Sequence, residues 1–394
     1  MKRIQDGTQK KRIRDQIRGS LVGGAIGDAL GYTIEFNSEG QIFRKYGDNG
    51  ITEYELVNGE ALISDDTQMT LFTAVGLLVG DTRGALRGIM GSPSSYVALA
   101  YTDWYKTQTV RMGDLNNDDF HYTWLLDIPE LFNRRAPGTT CMSSNTKERT
   151  VAEDYIKNPA NNSKGCGGIM RVAPVSLLYN NRHLIEETDE EAAQIAAITH
   201  GHSLGYMPAM VLNHIIYLIL DVENNLSLKD IVIDAKVAAC KKFADDKHIN
   251  ELAELIDLAI ELSENADNDL KNIRRLGEGW VAEETLAIAI YCSLKYQNDF
   301  SKAIITSVNH NGDSDSTGAV TGNILGALVG YDAIDSKWKD NLELHDVILE
   351  IADDLNQGCL MSEYGEYRDP AWLCKYVDMH RYVNEKGHPN ELDI

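Results

Sequence analysis

Two clusters of acidic and hydroxyl side chains carry the clearest chemistry in this chain, Ser64-Asp65-Asp66-Thr67 and Asp313-Ser314-Asp315-Ser316-Thr317. Each precedes an apolar segment, so each alone suits a helix N-cap, whose side-chain oxygen accepts the free amides of a first turn. A cap needs only one such oxygen, however, and adjacent carboxylates repel. The two clusters together fit the halves of one oxygen-rich cation site, the ligand set of hard ions such as Mg²⁺ or the more versatile Mn²⁺. Neither continues as a calcium-binding EF-hand loop. A third candidate is Asn162-Ser163-Lys164-Gly165-Cys166-Gly167-Gly168, ahead of Ile169-Met170-Arg171. It reads either as a flexible turn or as a phosphate cradle, in which glycines let backbone N–H groups approach and Lys164 or Arg171 adds charge. The Walker spacing is missing, so nucleoside triphosphate hydrolysis is not indicated.

Other motifs are weaker. Gly277-Glu278-Gly279-Trp280-Val281-Ala282 has the spacing of a dinucleotide fingerprint, but no convincing strand precedes it. His200 and His202 stand two residues apart and point in different directions on a helix, which suits caps or polar contacts better than a shared zinc ion. No HExxH or GxSxG is present, which sets aside the commonest zinc protease and serine hydrolase chemistries.

The elements that must position these residues are helical. Apolar residues recur at helical spacing over Gln68–Val79 and Ile249–Leu262, and further helices are expected at Glu190–Thr199, Tyr206–Leu220, Lys229–Ala244, Ala282–Lys295 and His345–Leu355. No alternating run supports a central sheet, so the fold reads as mostly α, with short strand pieces at most. Thr82–Lys164 reads as a loop-rich excursion. Gly19, Gly23, Gly27 and Gly31 repeat every four residues, as do Gly318, Gly322, Gly326 and Gly330. Glycine in a helix costs about 1 kcal/mol relative to alanine, so two such stripes predict close backbone approach. Asp28 and Glu35 accompany the first stripe, Asp313 and Asp315 the second.

A composition of 43 % hydrophobic and 25 % charged residues is that of a globular protein and excludes disorder. No Pro/Ser-rich linker divides residues 1–394, which read as one domain with a basic arm at 1–13 and a C-terminal extension at 356–394. The net charge of −23 argues against nucleic acid or an anionic membrane as partner. Only the first eighteen residues are basic, with Lys2, Arg3, Lys10, Lys11, Arg12, Arg14 and Arg18 against Asp6 and Asp15. The most apolar stretch, near Val211–Leu220, is short for a bilayer and reads as a buried helix. Without a secretory pattern or a CxxC pair, the six cysteines are expected as free thiols in the cytoplasm.

Taken in order, these segments resemble the ADP-ribosylglycohydrolase family. The likeness runs from Arg14 to Leu355 through Arg18–Gly31 with Glu35-Phe36, Ser64–Met69, Arg135–Gly138, Lys164–Arg171, Thr199–His202, Gly277–Trp280 and Asn309–Ala319. It implies an all-α fold around two Mg²⁺ or Mn²⁺ ions. Ser64, Asp65, Asp66 and Asp315 would hold one ion, and Glu35, Asp313, Asp315 and Ser316 the other, with Asp315 bridging. Ser163, Lys164, Gly165, Cys166, Gly167, His200 and Gly279 would bind substrate, with Glu35, Asp66 and Asp315 at the chemistry. Serine replaces the family's usual threonine at 64 and 316, and Cys166 stands where asparagine is common. The implied activity is release of ADP-ribose from ADP-ribosylated protein side chains, arginine first, with an ADP-ribosylating toxin as a further potential partner. A non-catalytic member that binds ADP-ribose or protein is the alternative. Five carboxylates against four metal charges would leave the site nearly neutral, so the acidic chain remains compatible with a diphosphate ligand.

Overall fold

The computed structural model describes residues 7–89, 91–115, 120–144, 154–180 and 182–381. In chain order α1 (Gly7–Tyr32), α2 (Glu39–Tyr46), α3 (Asp65–Arg87) and α4 (Pro93–Thr109) come first, then the short α5 (Thr139–Ser144) and α6 (Pro174–Tyr179). Next are α7 (Ile185–Ala197), α8 (Ser203–Leu220), α9 (Leu228–Lys242), α10 (Ile249–Ser263), α11 (Asp269–Leu276) and α12 (Ala282–Lys295). The order ends with α13 (Phe300–Val308), α14 (Ser314–Val329), α15 (Ser336–Lys339), α16 (His345–Gln357) and α17 (Pro370–Tyr376). Among the described residues no strand forms, only isolated bridges such as Gly165 with Val281. The fold is all-helical.

The two glycine stripes face each other. A Cβ on Gly27 would lie 2.0 Å from the carbonyl oxygen of Gly318, one on Gly23 2.5 Å from that of Gly322, and one on Gly19 2.2 Å from that of Gly326. The register runs in opposite directions along α1 and α14, so the helices are antiparallel. No side chain larger than hydrogen fits between them. Polar groups beside the stripe tie the same pair: Gln16 Nε2 donates to the Ala327 carbonyl at 2.9 Å, and Asn323 Nδ2 to that of Ser20 at 2.9 Å. α16 lies across α1, where Asp353 accepts from both Arg14 and Arg18. From Gly7 onward, therefore, the basic N-terminal segment forms the opening turns of α1; residues 1–6 lie outside the described set.

Two expectations need correction. The stretch Thr82–Lys164 is less loop-like than its sequence suggests, because Pro93 at the first turn starts a helix of 17 residues whose Val97, Ala100, Tyr101 and Trp104 are buried. It packs on α3. The apolar segment ending at Leu220 begins at Ser203, passes through Pro208, and is 18 residues long. By length and composition it is apolar enough to cross a membrane, and 89 % of it is buried inside this fold.

Candidate functional site

At one end of the α1–α14 pair, the N-termini of α3 and α14 meet the C-terminal end of α1. Asp28, wholly buried in α1, organises the first of them. Its carboxylate accepts from Ser64 N at 3.0 and 3.1 Å, from Thr67 N at 3.1 Å, and from the Thr67 hydroxyl. Ser64 Oγ then caps α3 by accepting from Asp66 N at 3.1 Å. Asp313 caps α14 by accepting from Ser316 N at 3.1 Å, and Asp315 Oδ1 accepts from the same amide at 3.0 Å. Asp65 Oδ2 accepts from Gly138 N at 3.1 Å, and Asp65 N donates to the Arg135 carbonyl at 3.0 Å. The Arg135–Gly138 segment is thereby pinned to the acidic cluster.

Burial raises the proton affinities of Asp28, Glu35, Asp65, Asp66 and Asp315. Asp28 is pushed up to about 6. Glu35 is pushed up to about 9, by burial first and then by repulsion from Asp313, Asp65 and Asp28. Asp65 rises to about 8 by burial, against the Gly138 amide that lowers it and with Asp28 and Asp313 adding repulsion. Asp66 and Asp315 are raised well above the ordinary carboxylate range by burial and by their acidic neighbours. Glu35 Oε2 and Asp66 Oδ2 have no hydrogen-bond partner. Among the described residues no three His, Cys, Asp or Glu side chains are grouped so as to hold a metal ion. Much of their hydrogen bonding goes to nearby amides and to one thiol.

That thiol belongs to the glycine-rich loop. Cys166 Sγ lies 2.8 Å from Asp313 Oδ2. The loop is braced by the Gly277–Ala282 segment, with Cys166 N donating to the Trp280 carbonyl at 3.2 Å and Ala282 N to that of Lys164 at 2.9 Å. Gly279 has φ +80°, and a Cβ there would meet Thr317 Cγ2 at 2.7 Å, so glycine is required where this segment crosses α14. The GxGxxA spacing thus serves a turn against α14, without a Rossmann strand. Lys164 pairs with Glu283, and Ser163 Oγ accepts from Gly165 N at 3.3 Å.

His200 lies under the loop, 2 % exposed. Cβ atoms on Gly165 and Gly167 would sit 3.3 Å and 3.4 Å from its Nε2. Arg171 donates to Thr199 Oγ1 at 2.6 Å, and Thr199 Oγ1 contacts His200 Nδ1 at 2.8 Å. Nδ1 is thus held on the Thr199 side of the ring, and Nε2 faces the loop. Burial and the Arg171 charge depress His200 to about 3, so the ring is neutral. Arg171 itself is fully buried over the Tyr101 ring at 4.5 Å, and cannot supply the loop with the exposed charge its sequence position suggests. His202 caps α8, accepting from Leu204 N at 3.0 Å, so the two histidines have separate tasks.

The structure thus brings Glu35, Ser64, Asp65, Asp66, Asp313, Asp315 and Ser316 to one place, with Cys166 and Gly279 beside Asp313. His200 lies beneath Gly165 and Gly167. The organising role of Asp28 is the part that spacing did not reveal, although an acid amid apolar and glycine residues of a buried helix is its signal.

The ADP-ribosylglycohydrolase family model matches residues 9–364. Human ADP-ribosylhydrolase ARH3 is 27 % identical over 206 residues, covering 46 % of this chain and 54 % of that protein. ADP-ribosylarginine hydrolase Tri1 of Serratia proteamaculans is 25 % identical over 222 residues, covering 55 % of this chain and 54 % of its own. The chain thus spans about half the length of the curated relatives it matches. A solved structure described as an ADP-ribosylglycohydrolase-related protein complex shares the fold, with TM-score 0.55 and 24 % identity over 88 % of this chain and 99 % of that one. With the match extending over most of its length, the chain belongs to the ADP-ribosylglycohydrolase family.

Proposed function

We propose that this protein hydrolyses the bond between ADP-ribose and a protein side chain, arginine-linked ADP-ribose being the first substrate to assay, with two Mg²⁺ or Mn²⁺ ions as cofactor. The observation that carries the reading is the buried gathering of Glu35, Asp65, Asp66, Asp313 and Asp315 at two helix N-termini in a member of this family. The donor set fits: hard carboxylate and hydroxyl oxygens suit these ions, and two buried carboxylate oxygens lack any partner. Ser64, Asp65, Asp66 and Asp315 would hold one ion and Glu35, Asp313, Asp315 and Ser316 the other. When bound, such a pair fixes hydroxyl groups and lowers the pKa of water.

The chain's own residues supply the rest. The Ser163–Gly167 loop, backed by His200, receives the diphosphate, and Lys164 holds that loop through Glu283. Glu35 orients the attacking water or polarises the leaving group as positive charge builds on the ribose. Arginine linkage is favoured as the starting point because a similar protein is named an ADP-ribosylarginine hydrolase. The test is a panel of ADP-ribosylated arginine, serine and cysteine substrates, each with Mg²⁺ and with Mn²⁺. Release of ADP-ribose from arginine is expected; no release from any substrate with either metal would overturn the proposal.

A further inference from the structure

Three successive amides leading into α3 are held by three different partners. Ile63 N donates to Glu343 Oε2 at 3.0 Å, Ser64 N to Asp28, and Asp65 N to the Arg135 carbonyl at 3.0 Å. The first and third partners are joined, because Glu343 Oε1 accepts from Arg135 Nη2 at 3.0 Å. Gly138 N then donates to Asp65 Oδ2 at 3.1 Å. One carboxylate thus closes a ring through Ile63, Asp65 and Arg135 back to itself, using each of its oxygens once.

Glu343 is remote in sequence, 280 residues from Ile63 and 208 from Arg135. Backbone pairing brings it here: Ala61 N donates to the Asn341 carbonyl at 2.7 Å, and Glu343 N to that of Ala61 at 3.0 Å. Its side chain is 4 % exposed and that of Arg135 15 %. A buried ion pair contributes little net stability, because desolvation offsets the attraction. What this one fixes is the spacing between two backbone segments. The residues that follow the two partners, Ala136 and Leu344, have φ of +48° and +58° although neither is glycine. Such angles persist only where the surroundings over-determine them, and the ring does so beside both.

We propose that Glu343 is a positioning residue for Asp65, acting through Ile63 and through the Arg135–Gly138 segment. Asp28 ties the same turn to α1 through Ser64 and Thr67, and Glu343 ties it to the chain just ahead of α16. The clasp is independent of the proposed activity; its consequence for Mn²⁺ rests on the reading of Asp65 as a ligand.

Two measurements on the full chain test it. Amide hydrogen exchange of the metal-free protein reads the ring directly. Glu343→Gln sets an NH₂ donor against either Ile63 N or Arg135, so one arm of the clasp is lost. The amides of Asp65 and Gly138, neither bonded to Glu343, are then expected to exchange roughly tenfold faster, as for the loss of one hydrogen bond, with those of α10 unchanged. Wild-type exchange at both amides, or a uniform rise across the chain, would overturn the clasp. Mn²⁺ binding, followed by the paramagnetic resonance of the free ion, reads the consequence. Affinity is expected to fall roughly tenfold in Glu343→Gln and to stay within about threefold in Arg135→Lys, which keeps a cation for Glu343, the range of outer-sphere effects on ligated carboxylates. Unchanged affinity in Glu343→Gln, or an equal loss in Arg135→Lys, would overturn the positioning role. If Glu343→Gln does not fold, Arg135→Met takes its place with the same two effects expected, and wild-type values in it overturn the proposal. Absence of Mn²⁺ binding by the wild type would overturn the consequence together with the metal reading, with amide exchange still deciding the clasp.

Discussion

The acidic residues at the ends of α3 and α14 oppose folding whenever they are charged and uncompensated. Asp315 has its proton affinity raised in the folded chain by burial, then by Asp66, Asp313 and Glu35. A group raised in this way contributes its full stability below its unfolded pKa, near 4, and loses it as pH rises through the folded value. The metal-free protein should therefore lose stability from mildly acidic to alkaline pH, with Asp65 adding to the loss up to about pH 8 and Glu35 up to about pH 9. Asp315→Asn is expected to raise the thermal midpoint of the metal-free chain at pH 8 and to leave it unchanged near pH 4. The same substitution should lower ADP-ribose release by at least about a hundredfold, the range seen when electrostatic stabilisers are removed. Melting curves at the two pH values check the first half, and a variant that melts below wild type at both would contradict it.

Helix α14 owes its place to what it lacks. Gly27→Ala would set a methyl 2.0 Å from the Gly318 oxygen, and neither backbone can withdraw without separating the helices along their length. A loss of about 3 kcal/mol or more is expected in urea denaturation, whereas Gly7→Ala, with nothing within 4 Å, should change stability little. Helices α7, α8 and α9 are joined differently, by His214 of α8, whose Nδ1 lies 2.7 Å from Asp189 and whose Nε2 lies 2.9 Å from Asp234. Burial alone would lower this histidine, but the two carboxylates outweigh it and raise it above 6.5. Its stabilisation is fully present below pH 6.5 and fades as pH rises through the folded value. His214→Gln should therefore cost more at pH 5.5 than at pH 9, as read from the midpoint difference at each. These elements were unequally legible. The four-residue glycine spacing and the Ser/Asp caps are visible in sequence because each solves a local backbone problem. The burial of Arg171, the pairing of Lys164 with Glu283 and the role of Asp28 depend on partners distant in sequence. Helix α4 was hidden by its polar and aromatic mixture, since its buried face includes Asp103 and Gln108 as well as Trp104.

For the whole molecule, a net charge of −23 means that divalent ions screen it generally, and the proposed specific binding has to be told apart from that screening. The two separate in titration. Screening by Na⁺ at matched ionic strength should shift the midpoint slightly. Mn²⁺ at a hundredfold excess over its dissociation constant should add about 2.7 kcal/mol per site, and chelation should reverse it. Equal shifts from the two salts would count against a specific site.

The facing glycines also impose an order of events during synthesis. Ser20 and Asn323, which bond across the α1–α14 pair, are 303 residues apart. At about 5–20 residues per second, α1 leaves the ribosome roughly fifteen seconds to a minute before its companion exists. Through that interval a glycine-rich helix with little intrinsic propensity waits with its apolar side uncovered. The end of the protein that carries the acidic cluster can assemble only once α14 has emerged, so delayed folding and a need for chaperone protection follow from the same four-residue spacing that makes the core close.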